Sequence, residues 1–389
     1  MKTVVVKKQT EEKIKSLHRW IYKDEIKKLP KSVEKGQLVK VLSTDGKFLA
    51  VGYINPNSII TVRILTFSQQ EINYQFFKEK IQKAIEKREK FLSKKTNAYR
   101  LIHSEADFLP GLIVDRYDKY LSVQFNTAGI NSFRELILKA LIETVKPEGI
   151  YEKVDEKVKQ IEGLEENEEK VLYGTIPDEI LITENQVKFK VNIKEGQKTG
   201  FFLDQRKNRE VVSSYVEEGF EVLDMFSNAG GFGIYCLKKG AKYVDFVDIS
   251  KLAVKQVEEN CQLNDFKNYK THLEDAFDFL SKAEKKYDLI ILDPPPFAKT
   301  KKEKAGALKG FKYLIVNSLK LLKEGGYLSV FSCSHHITEK DLLELLLFAS
   351  AKEKKPLQIV ERLYQDIDHP VILNIPPSFY LKGFLVKVL

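Results

Sequence analysis

The chain has 389 residues, 43% of them hydrophobic and 31% charged, with a formal net charge of +9. Its length exceeds what one hydrophobic core ordinarily holds, so two or three domains are expected, and the composition is that of a soluble globular protein. No apolar run approaches the roughly 20 residues that span a bilayer, and MKTVVVKKQTEEKIK offers only three valines before charge returns, so a cytoplasmic protein without membrane association is expected.

Over residues 1–67 there are 14 Lys/Arg against 6 Asp/Glu, so nearly all the excess charge lies in the first sixth of the chain. That asymmetry fits a polyanion partner, although a lysine- and glutamate-rich surface of thermophile type would look similar. Residues 34–66 alternate short β-branched and aromatic runs with the turn signals Thr44-Asp45-Gly46 and Asn55-Pro56-Asn57, which predicts a small β-barrel-like module. From 71 to 95, Phe77, Ile81, Ala84, Ile85, Phe91 and Leu92 recur on one face, predicting an amphipathic helix that links two domains. Tyr99 to about Lys194 reads as an α+β module, with LPGLIVDRYDKYLSVQF as a hairpin, SFRELILKALIETV as a helix and the charged GLEENEEK as an exposed hairpin loop.

After Asp204, strand-like EVLDMF, KYVDFVDI, YDLIILD and GYLSVFS alternate with helical stretches near 229–239, 251–263 and 305–323. This alternation predicts an α/β fold with a doubly wound parallel sheet, and QIVERLYQ with FYLKGFLVKVL predicts a closing antiparallel hairpin. Ligands of such sheets bind beyond the carboxyl ends of the strands. Each of four successive ends carries an acid: Asp224 before the glycine turn FSNAGGFG, Asp248 in VDI, Asp275 in LEDAF and Asp293 in DPPPF. Glycines let backbone approach a ligand, but Asn228 replaces the first glycine of a dinucleotide fingerprint, and a purely structural turn would look similar. Asp248 is spaced to accept from both ribose hydroxyls, and Asp275 to accept from an adenine amino group. Prolines 294 to 296 stiffen the fourth end into a rim.

Cys236, Cys261 and Cys333 have no CxxC spacing and are odd in number, arguing against both a disulfide framework and a cysteine-built zinc site; no metal is expected. Cys333, in SCSHH just past the fifth strand, lies beside the expected pocket. Carbon 5 of a pyrimidine is a poor nucleophile unless a nucleophile first adds at carbon 6, and a thiolate suits that step, whereas an exocyclic nitrogen needs no adduct.

The glycine turn first and DPPxF fourth resemble a class I S-adenosylmethionine-dependent methyltransferase. SEADFLPGLIVDRY, GQKTGFFLDQR, DMFSNAGGFG, DPPPF and SCSHH also stand in the order found in bacterial large-subunit ribosomal RNA cytosine-5 methyltransferases, a resemblance over almost the whole chain. It implies a PUA-like RNA-binding domain over 1–70, a linker helix and central α+β domain over 71–195, and a catalytic Rossmann-like domain over 196–389. It implies S-adenosylmethionine held by Asp224, Phe226, Asn228, Gly230, Asp248, Ile249, Asp275, Ala276 and Asp293, with Gln205 and Arg206. The segment GQKTGFFLDQR either closes over that cofactor or caps the following helix. Pro294, Pro295, Phe297 and Lys299 would face the target base, Asp293 would hold its edge, and Cys333 would attack it. The expected partner is RNA, most simply 23S ribosomal RNA, and a homodimer is left open. The fourth motif lacks the second cysteine of some RNA cytosine-5 methyltransferases, which leaves the base that removes the carbon 5 proton unassigned. Methylation of a base nitrogen, or a non-catalytic role in ribosome assembly, are the rival readings.

Overall fold

A computed structural model describes residues 1–389 except Gln197, Lys198 and Lys299. Strand β1 (Lys2–Val6) turns alternate valines inward, so the valine run at the start is a strand with Val4 and Val6 fully buried. Helix α1 (Lys8–Lys15) follows, then β2 (Trp20–Tyr22), β3 (Ile26–Lys28), β4 (Leu38–Leu42), β5 (Phe48–Ile54) and β6 (Ile60–Thr66). They form a six-stranded sheet in the order β2-β6-β5-β4-β1-β3, with β1 parallel to β4 and the other neighbours antiparallel.

Helix α2 (Tyr74–Phe91) starts where the Asn73 side chain accepts from the Phe76 N–H. Beyond it, β7 (Ala98–His103), β8 (Leu112–Tyr117), β9 (Tyr120–Phe125), α3 (Ala128–Ser132), α4 (Arg134–Val145), β10 (Gly149–Glu152), α5 (Glu156–Glu162) and β11 (Lys170–Gly174) build a five-stranded sheet in the order β11-β10-β9-β8-β7. The expected helix and hairpin both form, with two corrections. Helix α2 is not a bare linker. Its Phe77, Ile81 and Ala84 share one core with Val51, Tyr53 and Leu65 of β5 and β6 and with Ile137 and Leu141 of α4, while Phe91, at the helix end, is 53% exposed. GLEENEEK joins α5 to β11 and not two strands: Gly163 ends the helix in left-handed backbone (φ 69°) and Leu164 is buried.

The chain divides into two compact units that interleave in sequence. The first comprises 1–182, 191–203 and 367–378; the second comprises 183–190, 204–366 and 379–389. In the first, Arg88 donates twice to Asp107 at 2.6 Å and once to the Asp368 carbonyl at 2.9 Å, and the Asp368 carboxylate accepts from the Arg100 N–H at 2.9 Å. These bonds fasten the late segment 367–378 to residues far earlier in the chain.

A two-stranded ribbon, β12 (Ile180–Glu184) and β13 (Val187–Val191), precedes the second unit's main elements. These are α6 (Arg206–Ser213), β14 (Glu221–Met225), α7 (Gly231–Lys238), β15 (Tyr243–Asp248), α8 (Lys251–Leu263), β16 (Tyr269–Leu273), α9 (Ala276–Lys282), β17 (Tyr287–Leu292), α10 (Lys304–Leu321), β18 (Leu322–Ser332), α11 (Glu339–Glu353), β19 (Leu357–Tyr364) and β20 (Lys382–Val388). The seven strands run β16-β15-β14-β17-β18-β20-β19, the first five parallel and β20 antiparallel to both neighbours. The strand order reverses between β14 and β17, and the crevice at such a reversal is where open α/β sheets take ligands. Helix α11 was not anticipated. Its LLELLLF run lacks a clean polar face, so Leu342 and Leu346 are buried while Leu347 is 72% exposed. Its start, however, carries a capping box between Thr338 and Asp341. Among the described residues no helix is long and apolar enough to cross a membrane.

Candidate active site

Strand β14 delivers Asp224 into the sheet, where it is 1% exposed and accepts from the Gly233 N–H at 2.8 Å. Between them the turn alternates left-handed residues, Phe226 (φ 60°), Asn228 (φ 47°) and Gly230 (φ 79°). Non-glycine residues in that region cost on the order of 1 kcal/mol each, so two of them at one strand end mark a turn held in shape by its surroundings. The holding bonds are identifiable. Asp248 accepts from the Asn228 N–H at 2.9 Å, Asn260 donates to the Ala229 carbonyl at 3.0 Å, and Ser227 N–H donates to Val247 O at 3.2 Å. Gly233 serves packing: a Cβ there would lie 2.2 Å from the Phe246 ring, so only glycine lets α7 approach β15 this closely.

The other strand-end acids converge on the same face. Asp248, half-buried at the end of β15, also accepts from the Ser250 N–H at 2.9 Å. Ile249 beside it is 71% exposed. Asp275 caps α9, accepting from the Phe277 and Asp278 N–H groups at 2.8 and 3.3 Å, with Ala276 buried behind it. Asp293 accepts from Gln205 Nε2 at 3.0 Å, and Gln205 in turn is held by Asn208 Nδ2 at 2.6 Å. Burial pushes the Asp224 carboxyl well above the usual carboxylate range; the Gly233 N–H opposes that, and the charges of Asp293 and Asp248 add to it. A buried carboxyl raised in this way, with two further carboxylates beside it, makes a site that gains from a cationic ligand.

Two expected contributors have contacts that the sequence did not indicate. Arg206 is an expected cofactor residue, but its guanidinium lies 2.7 Å from Asp366 in a buried ion pair. Phe297, expected at the base, turns into an aromatic cluster with Phe226, Phe277 and Phe311, ring centroids 6.3, 6.1 and 5.3 Å away. An apolar ring on a proline rim is drawn to the nearest apolar core, and here that core lies behind the rim. Phe297 is half-buried, Pro294 is buried, Pro295 is exposed, and Lys299 lies outside the described residues. Gln197 and Lys198 of GQKTGFFLDQR also lie outside them; Thr199 donates to Asp115, and Phe201 N–H donates to the Tyr117 hydroxyl at 3.0 Å.

Cys333 follows β18 and is half-buried. Its neighbour Ser334 donates from Oγ to the Ala298 carbonyl at 2.6 Å, tying this loop to the end of DPPPFA. Lys382, at the start of β20, donates to Ser334 O at 2.6 Å and is 4% exposed. Sequence reasoning missed it, because FYLKGF reads as an ordinary edge of a hairpin. His335, in contrast, is held below the usual histidine value by burial and then by the Lys382 charge, so it is mostly neutral at pH 7.

Residues 4–67 match the PUA-like domain family, and residues 166–387 match the S-adenosylmethionine-dependent methyltransferase family. A Tolumonas auensis protein named ribosomal RNA large subunit methyltransferase I is 37% identical over 100% of this chain and 99% of its own length. The Vibrio parahaemolyticus protein of that name is 38% identical over 98% of each chain. Among solved structures, a candidate methyltransferase complexed with SAH superposes with a TM-score of 0.86 at 25% identity, and a Streptococcus mutans candidate with 0.84 at 24%, each over all of both chains. The chain therefore belongs to the S-adenosylmethionine-dependent methyltransferases, in the full-length group that joins a PUA-like domain to the catalytic sheet.

Proposed function

We propose that this methyltransferase modifies carbon 5 of a cytosine in large-subunit ribosomal RNA through a covalent adduct with Cys333. The observation that carries this reading is the Ser334 Oγ to Ala298 O bond of 2.6 Å, which ties the cysteine loop to the proline rim of the fourth strand end. The names of the full-length relatives support the RNA class, and the +9 net charge suits a polyanionic substrate.

S-adenosylmethionine carries a sulfonium and an ammonium, charges that suit a site walled by the carboxylates of Asp224, Asp248 and Asp293, and when bound it would supply an electrophilic methyl group. Asp248 and its neighbour Ile249 would hold the ribose and adenine side, the turn from Phe226 to Gly230 the methionine side, and Asp275 with Ala276 the adenine edge. Gln205 orients Asp293, which accepts from the exocyclic amino group of a base flipped into the pocket. The Cys333 thiolate adds to carbon 6, carbon 5 gains the electron density to take the methyl group, loss of the carbon 5 proton restores the double bond, and the carbon–sulfur bond breaks.

Asp248→Ala is expected to weaken S-adenosylmethionine about ten- to hundredfold in calorimetry, the worth of about 1.5–3 kcal/mol for a charged hydrogen bond. Unchanged affinity in a folded variant removes Asp248 from the site. The base chemistry is tested by incubating the protein with labelled S-adenosylmethionine and protein-free large-subunit RNA, then identifying the nucleoside. 5-Methylcytidine is expected; a nitrogen-methylated nucleoside refutes the adduct.

A further inference from the structure

Lys382 stands where ammonium groups are seldom found, 4% exposed at the start of an interior strand. The antiparallel register pairs it with Ser332 of β18 on one side and Tyr364 of β19 on the other. Its Nζ donates to Ser334 O at 2.6 Å. Ser332 and Ser334 flank Cys333, so backbone pairing and side-chain bond together bracket the cysteine. The two carboxylates that also face this amine already have partners: Asp341 accepts from Lys304 at 2.8 Å and from Thr338 at 2.7 Å, and Glu339 from the Tyr364 hydroxyl at 3.0 Å. Burial brings the Lys382 amine down to about 8, and the negative charge that chiefly opposes this is Cys333, ahead of Glu339 and Asp341. His335 and His336 complete the titratable groups of this loop, and His335 is kept neutral by its burial and by Lys382.

We propose that Lys382 is the positioning residue that keeps the Cys333 sulfur as a thiolate, by taking the thiol proton and holding it beside the anion; this rests on the reading of Cys333 as the nucleophile. The step balances within the pair: a neutral amine and a thiol become an ammonium and a thiolate, with no net change in charge and no third acid or base. A neighbouring cation lowers a thiol pKa, and one fixed by strand pairing does so without reorganising when the base arrives.

The test is the titration of Cys333 by iodoacetamide, read by mass spectrometry on its peptide, in the full chain without RNA. Cys236 and Cys261 are fully buried, and burial pushes both thiols up, Cys261 to about 12, so labelling at neutral pH reports Cys333. In the unmutated protein the labelling rate should reach half its plateau below the ordinary thiol value of about 8.5. Lys382→Met should move that midpoint to 8.5 or above and slow labelling at pH 7 about tenfold or more, one pKa unit per factor of ten. Lys382→Arg should keep the low midpoint. A midpoint of about 8.5 in the unmutated protein overturns the proposal even if Lys382→Met does not fold, and so does an unshifted midpoint in folded Lys382→Met. A lysine that only braces strands would change melting and leave the midpoint alone. The titration needs no substrate, so its failure is separable from failure of the adduct chemistry, which covalent trapping of RNA decides.

Discussion

Cys333→Ala is expected to abolish both methyl transfer and the covalent capture of RNA carrying 5-fluorocytosine at the target, while S-adenosylmethionine affinity in calorimetry should stay within error of that of the unmutated protein. Fluorine cannot leave carbon 5 as a proton does, so a thiolate added at carbon 6 is trapped after methyl transfer and the RNA remains on the protein through denaturing electrophoresis. Removing a covalent nucleophile typically costs on the order of 10^4-fold or more in turnover, because the remaining binding contacts stabilise a reaction that no longer has its first step. Cys333 lies on the loop after β18, whereas the carboxylates proposed for the cofactor stand at the ends of β14, β15 and β17. That separation is why cofactor affinity should survive. A Cys333→Ala protein that still methylates, with no trapped species, would place the thiol in packing and move the chemistry to a nitrogen.

Arg209→Met should destabilise the protein by about 3–5 kcal/mol, measured as a lower urea midpoint. Arg209 is 2% exposed, and its Nε and Nη2 each donate at 2.8 Å to the two oxygens of Glu184, which is fully buried. Loss of the guanidinium strands a fully buried carboxylate that keeps a bond from the Tyr235 hydroxyl at 3.0 Å. The paired change Glu184→Leu with Arg209→Met should cost less than Arg209→Met alone, since an apolar pair has no buried charge to satisfy. A single variant that loses less than about 1 kcal/mol would mean the pair is reached by solvent. The effect bears on the site as well, because the Arg209 side chain lies against Gly231 in the turn: a Cβ on Gly231 would sit 3.0 Å from Arg209 Cδ.

What could be read from the chain follows the range of the interactions involved. The strand-end positions of Asp224, Asp248, Asp275 and Asp293 were legible because each is marked by its own strand, and the strand-to-helix rhythm is local. The glycine turn was legible for the same reason, although Gly233 serves helix packing against Phe246, a contact between residues on different elements. Arg206 looked like a cofactor residue because Asp366, its partner 2.7 Å away, stands 160 positions later. Lys382 was invisible as a neighbour of Cys333 for the same cause, since only the β18–β20 register brings Ser332 opposite it. For Phe297 the sequence shows an aromatic on a rim but not the direction in which the core lies; the rings of Phe226, Phe277 and Phe311 give that direction.

The interleaving of the two compact units has a consequence for how the protein is made. Segment 367–378 belongs to the first unit, where Asp368 receives bonds from Arg88 and Arg100, while β20, the last strand in chain order, lies inside the seven-stranded sheet between β18 and β19. A ribosome that has emitted residues 1–366 has therefore completed neither half. Domains ordinarily mature one after another during translation, but here both must wait for the same final stretch and then close together. In the proposed pairing Lys382 comes from β20 and Cys333 from the loop after β18, so the two are brought together only when β20 docks beside β18.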